Sequence, residues 1–217
     1  MSAFGYRKPS DLPQTLALFP LPGAIVFPRG TLQLNIFEPR YLNMVDDALA
    51  GERLIGMIQP AVGDEHSAIP NLAQVGAAGR ITSFAETDDG RYLITLTGVC
   101  RFRIDRELPS TAPYRQAMLK YDDFADDLRP IQSVIDRTKL RRALRAYVDS
   151  RGFQTDWSAV DDAPAETLVN SVSALCPFDP PAKQALLEAR SLTDRCDALI
   201  ALLEYDARGG DTPQPLQ

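Results

Sequence analysis

Histidine is almost missing from this chain of 217 residues, and His66 is the only one. Any histidine base or zinc site would have to be built around that single side chain. Its surroundings, Gly63-Asp64-Glu65-His66-Ser67, read as a solvated loop, because sequential neighbours rarely converge on one ion. No metal is expected. Cysteine is scarce too. Cys100, Cys176 and Cys196 are odd in number, widely spaced and lack a Cys-x-x-Cys pair, which argues against a disulfide framework and for a reducing compartment. Lysine occurs only at Lys8, Lys120, Lys139 and Lys183. No Gly-Lys pair exists from which a phosphate-cradling Gly-x-x-x-x-Gly-Lys-Ser/Thr loop could be made. No lysine sits where desolvation would depress its pKa enough for it to serve as a base. A Gly-x-Ser-x-Gly nucleophile elbow is also lacking. An enzyme is therefore not expected, nor a cofactor. No apolar run approaches the ~18 residues that span a bilayer. Arg7-Lys8 imitates the start of a secretory signal, but Pro13, Pro20 and Pro22 interrupt the apolar stretch after it, so a cytoplasmic protein without a membrane segment is expected. Positive charge is in deficit, the net charge being −6, which speaks against nucleic acid as the main partner.

What the chain has is a conspicuous stiff apolar segment from Leu16 to Gly30. Pro20, Pro22 and Pro28 punctuate Leu18, Phe19, Leu21, Ile25, Val26 and Phe27. Proline fixes φ and removes a donor, so neither a long helix nor a central strand can run through it. Beyond it, Leu32, Leu34 and Ile36 alternate in a strand over Thr31–Phe37. Pro39 then opens a helix with an apolar stripe of Tyr41, Leu42, Val45, Ala48 and Leu49, stopped at Gly51. Arg53–Gln59 fits a buried strand. Asp88-Asp89-Gly90 separates two further runs, Ile81–Thr87 and Arg91–Ile104, as a hairpin turn would. Gly98 within the second run predicts a bulge or barrel corner. Tyr114–Tyr121 supplies a closing strand. Several short strands and one helix with short connections favour a partly closed barrel, which hides its edges.

The character changes near Asp122–Pro130, where four aspartates precede a proline. Helical periodicity then runs from Ile131 to Gly152. Further helices are predicted at about 163–175, 180–190 and 192–206, with Asp179 and the Ser191/Asp194 pair as caps. The chain is thus read as α+β: an arm at 1–13, a β-barrel-like subdomain at 14–123, a helical bundle of about four helices at 124–208, and a disordered tail at 209–217.

Several motifs carry a family likeness. They are the proline-rich segment with Thr31–Phe37, Glu38-Pro39-Arg40-Tyr41-Leu42, the runs Gln74–Ile81 and Gly90–Ile104, and Pro180-Pro181-Ala182-Lys183-Gln184 with Leu192, Arg195 and Leu199. In this order they resemble the amino-terminal substrate-binding domain of the ATP-dependent Lon proteases, over roughly residues 14 to 206. The resemblance implies a PUA-like barrel and a role in recognising unfolded or exposed polypeptide segments. It also implies a protease or chaperone as working partner. The ATPase and serine–lysine modules of such proteases have no counterpart among these residues, so the resemblance implies the recognition part alone, an adaptor or chaperone-like binder acting in trans. Oligomeric state is not legible.

The residues that would carry polypeptide binding are large side chains without a periodic role: Phe27 and Phe37 beside their prolines, Tyr41 at the start of the first helix, and Arg40 as an anchor for a carboxylate or carbonyl. The competing reading is that these rings fill the core. An alternative function rests on Arg129, Arg137, Lys139, Arg141, Arg142, Arg145 and Arg151, a positive helix face over 129–151 that could attract RNA. Apart from Tyr147, no aromatics are interleaved with them in sequence as stacking platforms would be.

Overall fold

Alternating apolar runs and well-placed prolines translate directly into strands. The computed structural model describes residues 3–64, 69–129 and 134–209; the histidine loop at His66 and all but Gly209 of the expected tail lie outside the described residues. Among the described residues six strands form: β1 (Thr15–Pro20), β2 (Thr31–Ile36), β3 (Leu54–Ile58), β4 (Val75–Glu86), β5 (Tyr92–Leu108) and β6 (Arg115–Lys120). Their order is β2-β5-β4-β3-β1-β6, and β6 also pairs with β5, so five strands close into a ring while β2 stays outside it. All neighbours are antiparallel except β1 and β3. This is the partly closed barrel in an α+β fold that the sequence predicts.

The length of β5 makes this topology possible. Its first part, Tyr92–Thr97, lies between β2 and β4, and its last part, Arg103–Leu108, pairs with β6. The strand turns the corner at Gly98, where the register against β4 slips between Ala78 and Gly79. A Cβ at Gly98 would lie 2.0 Å from the Phe27 carbonyl oxygen. The chain after the proline-rich segment crosses there, with Arg29 N–H donating to Gly98 O and Gly98 N–H to Gly30 O. The expected bulge is therefore present, and its cause is a backbone crossing.

Inside the ring the Phe102 side chain is fully buried against Gly56 and Gly76, where a Cβ would come within 3.2 and 2.6 Å of its ring. Small residues on β3 and β4 leave room for one large side chain on β5, the complementarity a small barrel needs. Helix α1 (Pro39–Ala50) buries Tyr41, Met44 and Val45. The segment before β1 lies against the barrel, with Leu12 buried, Tyr121 donating its hydroxyl proton to Pro13 O, and Arg80 over the Phe4 ring.

The remaining helices are α2 (Arg137–Arg151), α3 (Trp157–Asp162), α4 (Ala165–Leu175), α5 (Pro180–Glu188) and α6 (Leu192–Ala207). The chain divides into two compact units, one of Met1–Ile131 with Pro177–Leu187 and the other of Gln132–Cys176 with Glu188–Gln217. Helix α5 belongs to the barrel unit. Gln59, itself buried, accepts from Gly23 N–H and donates to Pro180 O and to Gln184 Oε1. Gln184 passes the chain on to Val75 O, and Lys183 Nζ donates to Gly23 O. Side chains just after β3 and on α5 thereby hold the proline-rich segment.

A buried ion pair makes a second tie. Arg101 on β5 meets Asp127 in the 3-10 turn Asp122–Leu128 through Nε to Oδ2 at 2.8 Å and Nη2 to Oδ1 at 2.9 Å. It also donates to Leu187 O at 3.0 Å and lies over the Phe124 ring. In sequence the four aspartates before Pro130 read as helix-start and loop acids; this is corrected for Asp127, which is only 3% exposed.

In the second unit α2 packs along α6, with Leu140, Leu144, Cys196, Leu199 and Leu203 between them. Ser191 and Asp194 form the expected capping box, and Gly152 ends α2 in the left-handed conformation. Buried Arg195 donates to Asn170 Oδ1 at 2.8 Å.

Candidate functional site

On the barrel unit a groove with a volume of about 540 Å³ opens between four elements. One wall is the proline-stiffened run Phe19–Pro22 at the end of β1; the opposite wall is the end of β2, Leu34–Phe37. The first turn of α1 contributes Glu38, Arg40 and Tyr41, and the start of β6 adds Tyr114 and Arg115. Proline builds such a wall well, since it presents an apolar ring on a fixed backbone and leaves no donor to satisfy.

Three of the four sequence-selected side chains meet here. Tyr41 is 7% exposed, its ring against that of Phe19 with centroids 4.4 Å apart. Arg40 also lies over the Tyr41 ring, its Cζ 4.6 Å from the centroid, while its guanidinium pairs with Glu38 at 2.7 Å. Phe37 projects at the rim, 62% exposed, with Arg91 near its face. Phe27, by contrast, is 1% exposed and lies outside the groove. Its carbonyl crosses Gly98 and its ring is sealed in the core, so it does not contribute surface.

Sequence reasoning missed Tyr114 and Arg115, which lie across the groove. The Tyr114 hydroxyl donates to Asp47 Oδ2 at 2.5 Å, and burial first, then that carboxylate, pushes its pKa up to about 12. Arg115 is held by Glu107 at 2.5 Å and by Pro70 O at 2.6 Å. Burial likewise raises the Tyr41 pKa, so both phenols stay neutral at physiological pH. The one signal available was Pro113-Tyr114, an aromatic beside a proline, as Phe27 is beside Pro28.

Elsewhere, nothing among the described residues resembles catalytic apparatus. Burial raises the Cys100 thiol far above its usual range, and Cys196 to about 11, so neither supplies a thiolate. Among the described residues no three His, Cys, Asp or Glu side chains gather as a metal site. Among them, too, no helix is long and apolar enough to cross a membrane.

The basic face of α2 is largely engaged within its own unit. Arg137 donates to the carbonyls of Val160, Asp161 and Ala163 at the end of α3. Arg141 pairs with Asp161 through two bonds, of 2.7 and 3.1 Å, and both it and Arg145 stack on Trp157. Arg151 pairs with Asp206. An aromatic does face these arginines, supplied by the next helix, and they cover it. The arrangement lends no support to an RNA-binding face.

A ring of five strands with an outlying sixth, followed by a unit of helices, defines the class as a two-unit α+β protein. Over residues 15–205 the chain matches the family described as "ATP-dependent protease La (LON) substrate-binding domain", and it belongs to that family. Its fold is similar to that of a Lon N-terminal domain protein from Xanthomonas campestris, with a TM-score of 0.62 at 22% identity over 86% of this chain and 97% of that one. It is similar as well to the N-terminal domain of the Mycobacterium avium complex Lon protease, at a TM-score of 0.63 and 15% identity over 87% of this chain and 97% of that one. In sequence it is 25% identical over 206 residues to a Lon protease of Roseiflexus castenholzii, a match that covers 92% of this chain but 25% of that protein. A Lon protease of Desulfosudis oleivorans is 29% identical over 108 residues, 49% of this chain and 13% of that protein. The chain thus spans a quarter or less of the length of these two proteases.

Proposed function

We propose that this protein is a non-catalytic recognition module for unfolded or exposed polypeptide segments, with the groove between β1, β2, α1 and β6 as its contact surface. The observation that carries this reading is the groove itself: prolines and the exposed Phe37 ring, backed by the buried rings of Phe19, Tyr41 and Tyr114, line an opening to solvent in a protein with a net charge of −6. Family membership supports it. The module would serve an ATP-dependent protease or a chaperone, as an adaptor in trans. Its buried cysteines, which form no disulfide with one another, suit a reducing, cytoplasmic setting.

Fluorescence anisotropy with labelled casein, a permanently unfolded polypeptide, tests the reading. Phe37 is more than half exposed, so Phe37→Ala should leave thermal stability within about 0.5 kcal/mol of the parent. The same variant should weaken casein binding several-fold, because an exposed aromatic at a groove rim is where binding energy concentrates. No binding by the parent protein, or equal binding by the variant, would reject the groove as the contact surface.

A further inference from the structure

The groove's β2 wall has a property that apolar contact alone does not use. β2 lies at the end of the strand order and, among the described residues, pairs as a strand only with β5. The bond from Gly98 N–H to Gly30 O fixes the phase of this ladder. With the register Leu32↔Leu96, Leu34↔Ile94 and Ile36↔Tyr92, the peptide groups of Leu32, Leu34 and Ile36 face β5. The bond from Thr87 N–H to Arg91 O sets the opposite phase between β5 and β4, which is consistent. The N–H and C=O groups of Gln33 and Asn35 therefore point away from the sheet, and both residues are exposed.

Protein sheets usually blunt such an edge with charge, proline or brevity. β2 has six residues, Thr-Leu-Gln-Leu-Asn-Ile, and none is charged or proline. Its exposed edge runs into the groove, where Leu34 and Asn35 form the wall. We infer that clients bind by strand addition: an extended, uncharged segment of the client pairs its backbone with Gln33 and Asn35 and places alternate apolar side chains in the groove, toward Tyr41 and Phe19. Charge complementarity favours an uncharged strand, because Arg40 and Arg115 are already compensated by Glu38 and Glu107. The mode suits unfolded clients in general, since main-chain bonds supply affinity without a sequence requirement and alternate pockets add preference for apolar residues. This rests on the polypeptide-binding reading above and assigns its geometry.

The probe is a short labelled peptide of alternating valine and threonine, together with a copy whose central amides are N-methylated. The parent protein should bind the first and lose at least about tenfold in affinity for the second, as expected when one or two hydrogen bonds go unmade. Gln33→Pro removes one outward N–H, at a position where an edge strand tolerates proline. It should melt like the parent yet bind the unmethylated peptide at least about tenfold more weakly. Should that variant melt early, the methylated peptide with the parent protein still decides. On peptide addition the Gln33 and Asn35 amides should exchange with deuterium at least about tenfold more slowly. Equal affinity for both peptides, or unchanged exchange at Gln33 and Asn35, overturns strand addition. If casein still binds in that case, the polypeptide reading survives; if neither casein nor peptide binds, both fall. A dimer in sedimentation that Gln33→Pro dissociates without altering peptide affinity would assign the edge to a second copy of the chain, and overturns the inference too.

Discussion

At the scale of single residues the fold turns on positions where no side chain fits. Gly98 is the sharpest, because the atom a Cβ would meet is the backbone oxygen of Phe27, which cannot rotate away. Gly98→Ala should therefore lower unfolding free energy by about 3 kcal/mol or more, measured as a fall in the urea midpoint. An unchanged midpoint would mean that the crossing gives way at no cost. This residue was legible, since a glycine inside a periodic strand is a recognised sign of close backbone approach. Phe27 and Phe37 were not separable in the same way. Each stands at the end of its run near a proline, and that position does not say which ring faces in. Phe27 precedes a backbone crossing and is sealed; Phe37 leaves a strand at the corner before α1 and stays out.

At the scale of elements, what β5 does depends on its partners in the 3-10 turn and in α5. Arg101 is 4% exposed and Asp127 3%, so removing one partner strands a charge out of water. Asp127→Ala should cost about 3–5 kcal/mol, whereas Asp126→Ala, one residue away with a side chain 95% exposed, should be nearly silent. Chemical denaturation of the two variants side by side checks this, and equal effects would show that the pair contributes nothing. The helices and strands themselves were largely readable from period, proline position and caps: α6 has its capping box, α1 its Pro39, and the β4–β5 hairpin its Gly90. Helix α3 escaped because six residues are too few to establish a period. Asp127 escaped because three neighbouring aspartates look alike in sequence, and only pairing with Arg101, 26 positions away, separates the buried one. The groove was half visible. Phe37, Arg40 and Tyr41 are neighbours along the chain, but Tyr114 and Arg115 reach them only through the pairing of β6 with β1.

At the scale of the whole molecule, tyrosines with raised pKa values occur in both units: Tyr41, Tyr114 and Tyr121 in the first and Tyr147, at about 12, in the second, burial being the first cause in each. The unfolded phenol titrates near 10, so above that pH the unfolded chain sheds protons that the native state keeps. Stability from these groups is complete below about pH 10 and is lost as the pH rises to about 12 and beyond. Urea unfolding across that window should show the decline, and Tyr114→Phe should lessen it. A flat profile would contradict the burial of these rings. The attachment of α5 to the first unit also bears on the order in which the protein is made. Gln59, Arg101 and Gly23 find partners at Pro180, Lys183, Gln184 and Leu187, contributed late in translation. A ribosome that has released every strand still holds back the plug that fills these sites. The first unit, begun first, thus matures only after the intervening helical segment has emerged, and until then its greasy wall waits with its supports incomplete.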